Sequence, residues 1–252
     1  MPKQIKDKTT SPKEKPAKKA AGIKKADKIK APKQSESDNK KVAALPKRNA
    51  VTKDGKANNE KTLDLCLILD CTASMHEWIQ RSKETLKDII DMVKADNPTL
   101  KVRVSFVGYR DFGDGKDQFS TIDFSENLDV VKAFISKQAA SGGNDMPEDV
   151  QGGFHQALGM SWEMDSIKSI FHIADAPGHG KEICDGYDRY PNGSPAGHKI
   201  QDQMRMFAAK KIQFSFVKVN EFCDKMIKFM QENYNPSGLT MNVTDLAHAC
   251  QT

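Results

Sequence analysis

Residues 63–74 read LDLCLILDCTAS, and this stretch decides the fold. Leu63 to Leu69 is a short, nearly continuous apolar run, as a strand buried on both faces requires. Asp70, Thr72 and Ser74 follow where the chain turns from strand to helix, so one carboxylate and two hydroxyls can converge on one point. Beyond them Met75, Trp78, Ile79, Leu86, Ile89, Ile90 and Val93 recur at spacings of three and four, one face of a helix. Asn97-Pro98 ends it, because the residue before a proline is pushed out of the helical region.

Working outward, strands and helices alternate. VRVSFV (102–107) predicts a second core strand, and FSTIDF (119–124) alternates like a half-exposed edge strand. Val130, Val131, Phe134 and Ile135 mark a helix, SGGND (141–145) a loop, and Val150, Phe154, Ala157 and Leu158 a helix entered after Pro147. SIFHIA (169–174) is a third core strand, followed by a Gly/Pro loop from Asp175 to about Gly197. Ile200, Met204 and Phe207 lie on a helix, IQFSFVKV (212–219) is a fourth core strand, and Phe222, Met226, Ile227 and Met230 mark a last helix. The pattern implies an α/β fold: a three-layer, doubly wound, mostly parallel sheet with one antiparallel edge strand. In such sheets ligands bind outside the carboxyl ends of the strands.

Residues 1–61 are different. They hold 19 Lys and Arg against 7 Asp and Glu, with five prolines and no aromatic residue, whereas the remainder holds 20 against 27. Too little apolar surface is present there to offset the entropy of ordering, so a disordered Lys-rich tail is expected, followed by one folded domain over 62–250. Clustered lysines at 18–19, 24–25 and 40–41 suit contact with a polyanion, nucleic acid or anionic lipid, and also suit nuclear import. A solvated, solubilising tail explains them equally well. No apolar run approaches the roughly 18 residues of a membrane span, and the start Met1-Pro2-Lys3 lacks a secretory core. Five scattered cysteines without a CxxC pair argue against a disulfide framework and for an intracellular, cytoplasmic or nuclear, setting.

Three loops at the expected strand ends carry hard oxygen donors: Asp70-Cys71-Thr72-Ala73-Ser74, Gly142 to Asp149, and Ala174-Asp175-Ala176-Pro177. Carboxylates with hydroxyls and waters suit Mg²⁺ or Mn²⁺. Each loop alone is equally well explained by helix capping or turn chemistry; their coincidence at one sheet edge is what favours a site.

DCTAS after an apolar strand, the Asp of IADAP and the intervening GGND loop resemble the metal-ion-dependent adhesion site of von Willebrand factor A domains. Thr72 stands where the family's D-x-S-x-S has its first serine. The resemblance implies a cation-binding module completed by an Asp or Glu of a protein partner. Its metal ligands here would be Asp70, Thr72, Ser74, Asp175 and a middle-loop residue. Asp145 is the first choice for that residue, with Asn144 and Glu148 as alternates. VGYRDFGD (107–114), GGNDMPEDVQGG (142–153), FHIADAPGHG (171–180) and YPNGSPAG (190–197) look more narrowly like the A domain of von Willebrand factor-type alpha-protein kinases. A kinase domain after Thr252 is not in this chain, so a stand-alone relative, a fragment or a truncated gene product is expected.

Other groupings are weaker. His179, Cys184, Asp185, Asp188 and His198 could hold zinc, but their spacing matches no common pattern. An EF-hand over 188–199 fails at Tyr190 and Lys199. Asp111, Asp114 and Asp117 could form a rim cation site, although a solvated acidic loop paired with Arg110 is the simpler expectation. No G-x-S-x-G elbow surrounds Ser74, so a hydrolase is not indicated.

Overall fold

The computed structural model describes residues 61–246. The basic tail and Cys250 lie outside them. A six-stranded sheet has the order β3-β2-β1-β4-β5-β6. Its strands are β1 (Thr62–Asp70), β2 (Lys101–Tyr109), β3 (Phe119–Ser125), β4 (Ile167–Ala174), β5 (Ile212–Lys218) and β6 (Asn242–Asp245). β3 is antiparallel to β2 and every other pair is parallel.

The alternation along β1 sorts the layers. Leu65, Leu67 and Leu69 pack with Leu86 and Ile90 of α1 (Ile79–Asp96) and Val131 and Ile135 of α2 (Leu128–Ser136). Cys66 and Ile68 belong to the opposite cluster. There they join α3 (Val150–Leu158), α4 (Ile200–Ala209) and α5 (Asp224–Tyr234) through Phe154, Phe207 and Met230. Each such apolar side chain contributes about 1.5–3 kcal/mol by leaving water. The expected three layers and single antiparallel edge are therefore present.

Two local differences have physical reasons. The helix expected from Met75 opens as a 3-10 turn over Ala73–Glu77 and becomes α-helical only at Ile79. The tighter turn carries Met75 into the core directly under the loop. β6 has no counterpart among the expected strands. It is four residues long, three of them exposed, so no apolar run announces it, and pairing with β5 is what makes it a strand.

The order fixes where a ligand site belongs. From β1 the chain steps to β2 on one side, and it later returns to β4 on the other. β1 and β4 are neighbours in parallel register, so their exit loops diverge from one crevice, the switch point of an open α/β sheet.

Candidate metal centre at the strand ends

Asp70 closes β1 and has no exposed surface. Its Oδ1 accepts from the Thr72 backbone N–H at 2.9 Å and the Thr72 hydroxyl at 2.7 Å. The Thr72 and Ser74 hydroxyls lie 3.0 Å apart, and Ser74 Oγ donates to Asp175 Oδ1 at 3.0 Å. Asp175 follows β4 directly. Four of the expected site residues, from two neighbouring strands, thus share one hydrogen-bonded cluster, with Ser74 at its exposed mouth.

The middle loop is stitched to this cluster. Ser141 N–H donates to Cys71 O at 3.0 Å, and Ala73 N–H to Gly142 O at 3.1 Å. Arg110, buried at the end of β2, does not pair with an acid as expected. Its guanidinium donates to the carbonyls of Ala139, Ser141 and Asp117, at 2.8, 3.0 and 2.8 Å, and so holds the loop from below. Gly142 and Gly143 then adopt φ of +78° and +80°, which L side chains avoid. A Cβ on Gly143 would lie 2.6 Å from Glu148 Oε1, so the loop needs glycine to bring that carboxylate in. Glu148 is 3% exposed, and its N–H donates to Pro177 O at 2.9 Å.

Asp145 Oδ2 accepts from the Arg189 N–H at 2.7 Å, and one Asp145 oxygen lies within 4.8 Å of ligand atoms of Asp111 and His179. The exposed Asn144 packs against Gly113. The zinc grouping that residues 179–198 could have offered does not assemble as a set. Asp185 pairs with Lys225, His198 stacks on His155, and Asp188 binds His179. Asp111, Asp114 and Asp117 do not form a trio either, since Asp114 Oδ2 takes the N–H groups of Asp111 and Gly143.

The electrostatics are those of acids lacking a counter-charge. The donors to Asp70 and Asp175 are neutral, and Asp70 Oδ2 and Glu148 Oε2 are buried without any partner. Burial, and then the charge of Asp175, pushes Asp70 up to about 7. Burial, then Asp70, Asp111 and Asp175, pushes Glu148 up to about 10. Burial also raises Asp175. Orphaned carboxylate oxygens beside two hydroxyls, with no soft donor facing them, fit a hard divalent cation. Cys71 is turned away, its Sγ donating to Leu69 O.

Residues 64–187 match the von Willebrand factor A domain family. This chain carries a von Willebrand factor A domain. The A domain is similar to the alpha-protein kinase vwkA of Dictyostelium discoideum, 34% identical over 179 residues, 68% of this chain and 29% of that protein. It is also similar to the putative ariadne-like RING finger protein R811 of Acanthamoeba polyphaga mimivirus, 27% identical over 153 residues, 59% of this chain and 14% of that one. Among solved structures, the pilus adhesin SpaC of Lactobacillus rhamnosus GG in its open conformation superposes with a TM-score of 0.54 at 15% identity. That match covers 77% of this chain and 29% of the adhesin, and it speaks for the fold alone. The chain spans under a third of each of these relatives. Among the described residues, no helix is long and apolar enough to cross a membrane, and Cys66, Cys71, Cys184 and Cys223 are free thiols.

Proposed function

We propose that the A domain is a divalent-cation-dependent protein-binding module. Mg²⁺ or Mn²⁺ is held at the switch point by Asp70, Thr72, Ser74 and Asp175, directly or through water, with Glu148 as the middle-loop carboxylate in place of Asp145. An Asp or Glu of a partner protein completes the coordination from the Ser74 side, where the cluster is open. The observation that carries this reading is the pair of buried, partnerless oxygens, Asp70 Oδ2 and Glu148 Oε2, beside Asp175. Helix capping would leave neither of them orphaned. Ser74 is not arranged as a nucleophile, since its hydroxyl bonds Thr72 and Asp175 rather than an imidazole. The free thiols support an intracellular setting.

The test is calorimetric titration of Mg²⁺ and Mn²⁺ with thermal melts of the full chain. A ligand bound only by the native state stabilises it by mass action, about 2.7 kcal/mol at a hundredfold excess over Kd. Wild type should show such a rise and Asp70→Ala none, with partner binding lost in parallel. No metal-dependent rise in wild type at millimolar cation would overturn the reading.

A second reading is favoured by the 34% identity to an alpha-protein kinase. Here the A domain regulates an alpha-type serine/threonine kinase domain that lies outside this sequence. A purified alpha-kinase catalytic domain should then bind it in Mg²⁺ and lose the contact with Asp70→Ala; absence of binding in Mg²⁺ rules this reading out.

A further inference from the structure

A second group of side chains converges from three loops, two of them shared with the cluster just described. Asp111 follows β2, Asp145 sits in the middle loop, and His179 follows β4, with one ligand atom from each within 4.8 Å of the others. His179 has no exposed surface and Asp111 is 1% exposed. Asp145 Oδ1 is buried and has no partner.

Each of the three is held from behind. Asp188 Oδ1 lies 2.8 Å from His179 Nδ1, and the same carboxylate takes the N–H groups of Gly180 and Tyr190, at 2.7 Å each. This orients the ring so that Nε2 faces Asp111 Oδ1 at 2.8 Å. Phe112 and Tyr190 pack on the imidazole. Asp114 fastens the Asp111 backbone to Gly143 of the middle loop. Arg189 N–H occupies Asp145 Oδ2, and the buried Oδ1 is left without a partner. A carboxylate behind a histidine that faces further carboxylates is the support that metal-ligating imidazoles use.

We propose that Asp111, Asp145 and His179 form a second cation site, taking a borderline divalent ion such as Zn²⁺ through two carboxylate oxygens and one imidazole nitrogen. Tetrahedral zinc with bonds near 2.0–2.2 Å sets its ligand atoms about 3.3 Å apart, so a small opening of the Asp111–His179 contact admits the ion. The nitrogen donor separates this site from the all-oxygen cluster at Asp70, because Mg²⁺ prefers oxygen and zinc accepts imidazole. Both ring nitrogens lie 2.8 Å from a carboxylate oxygen, Nδ1 from Asp188 and Nε2 from Asp111. Two carboxylates and a neutral imidazole balance the ion's charge and leave a fourth position for water or a partner's donor.

The site shares no ligand with the Mg²⁺ reading and stands if that reading fails. Its test is calorimetric titration of Zn²⁺ into the full chain held in millimolar Mg²⁺. One equivalent should bind. Asp145→Asn keeps an acceptor for Arg189 and removes only the orphan charge. It should weaken Zn²⁺ at least tenfold while the melting temperature and the Mg²⁺ response persist. Asp70→Ala should remove the Mg²⁺ response and spare Zn²⁺. Stoichiometric Zn²⁺ binding that is absent in wild type, unchanged in Asp145→Asn, or lost instead with His198→Ala at the stacked His155–His198 pair, would overturn the proposal.

Discussion

Asp64 and Asp70 both lie on β1, and neither side chain reaches solvent. Asp64, near the strand's start, is fully satisfied. Arg103 grips it with two bonds of 2.8 Å, and the Glu163 N–H and Ser166 hydroxyl add two more. Asp70, at the other end, has only Thr72 as donor, a carboxylate beside it and one oxygen without a partner. A buried acid with its counter-charge built in is part of the scaffold. A buried acid with other acids for neighbours and an orphan oxygen awaits a charge from outside.

The largest expected effect breaks the first member. Asp64→Ala leaves Arg103, 13% exposed, with Glu163 as its remaining ion-pair partner beside the Ser161 carbonyl and the Phe124 ring. Losing one partner of a buried pair typically costs about 3–5 kcal/mol, and urea unfolding should show that loss equally with and without Mg²⁺. A loss that Mg²⁺ repaired would make Asp64 part of the metal site and erase the contrast.

The next effect has the opposite sign. Asp70→Asn keeps an acceptor for Thr72 and removes a repelling charge, so at pH 8 without metal it should leave stability unchanged or raise it by on the order of 1 kcal/mol. Wild type itself should be pH-sensitive. Folded-state pKa values near 7 for Asp70 and 10 for Glu148 stand above their ordinary 3.8 and 4.5. The native state therefore keeps protons that the unfolded chain gives up, and metal-free stability falls as pH rises from about 4 through 7 and beyond. Saturating Mg²⁺ should flatten that slope. Urea midpoints at pH 5 and pH 8 decide it, and a metal-free stability that climbed with pH would contradict the charge assignment.

A third effect sharpens the comparison at the middle loop. Gly143→Ala forces a side chain into φ +80° and against Glu148, at a cost of about 1–2 kcal/mol. Mg²⁺ affinity should drop severalfold, and an unchanged affinity in titration would take Glu148 out of the ligand set.

The comparison also shows what the sequence could reveal. β1, β2, β4 and β5 were legible because strands buried on both faces are apolar runs, and Asp70 and Asp175 because the last residues of neighbouring parallel strands must end side by side. β6 was not, since its residues are mostly exposed. The different settings of Asp145 and Glu148 were equally out of reach. They sit three residues apart in one loop, and Glu148 lies against Gly143 and Pro177 while Asp145 meets the Arg189 N–H. Arg110 followed the same logic: its charge suggested an acidic partner, but the nearest acceptors in the fold are carbonyls. His179 was visible as a candidate ligand, yet of its carboxylate neighbours only Asp188 comes from its own loop, while Asp111 and Asp145 come from two others.

The place of β4 in the sheet has a consequence for the chain's birth. β1 ends at Asp70 and its partner strand starts at Ile167, so about a hundred residues are made between them. At roughly 5–20 residues per second, the most apolar strand of the protein waits on the order of 5–20 seconds with one edge unpaired on the ribosome. A chain stalled before β4 therefore carries an open, sticky edge at Leu63–Leu69 and no crevice between β1 and β4.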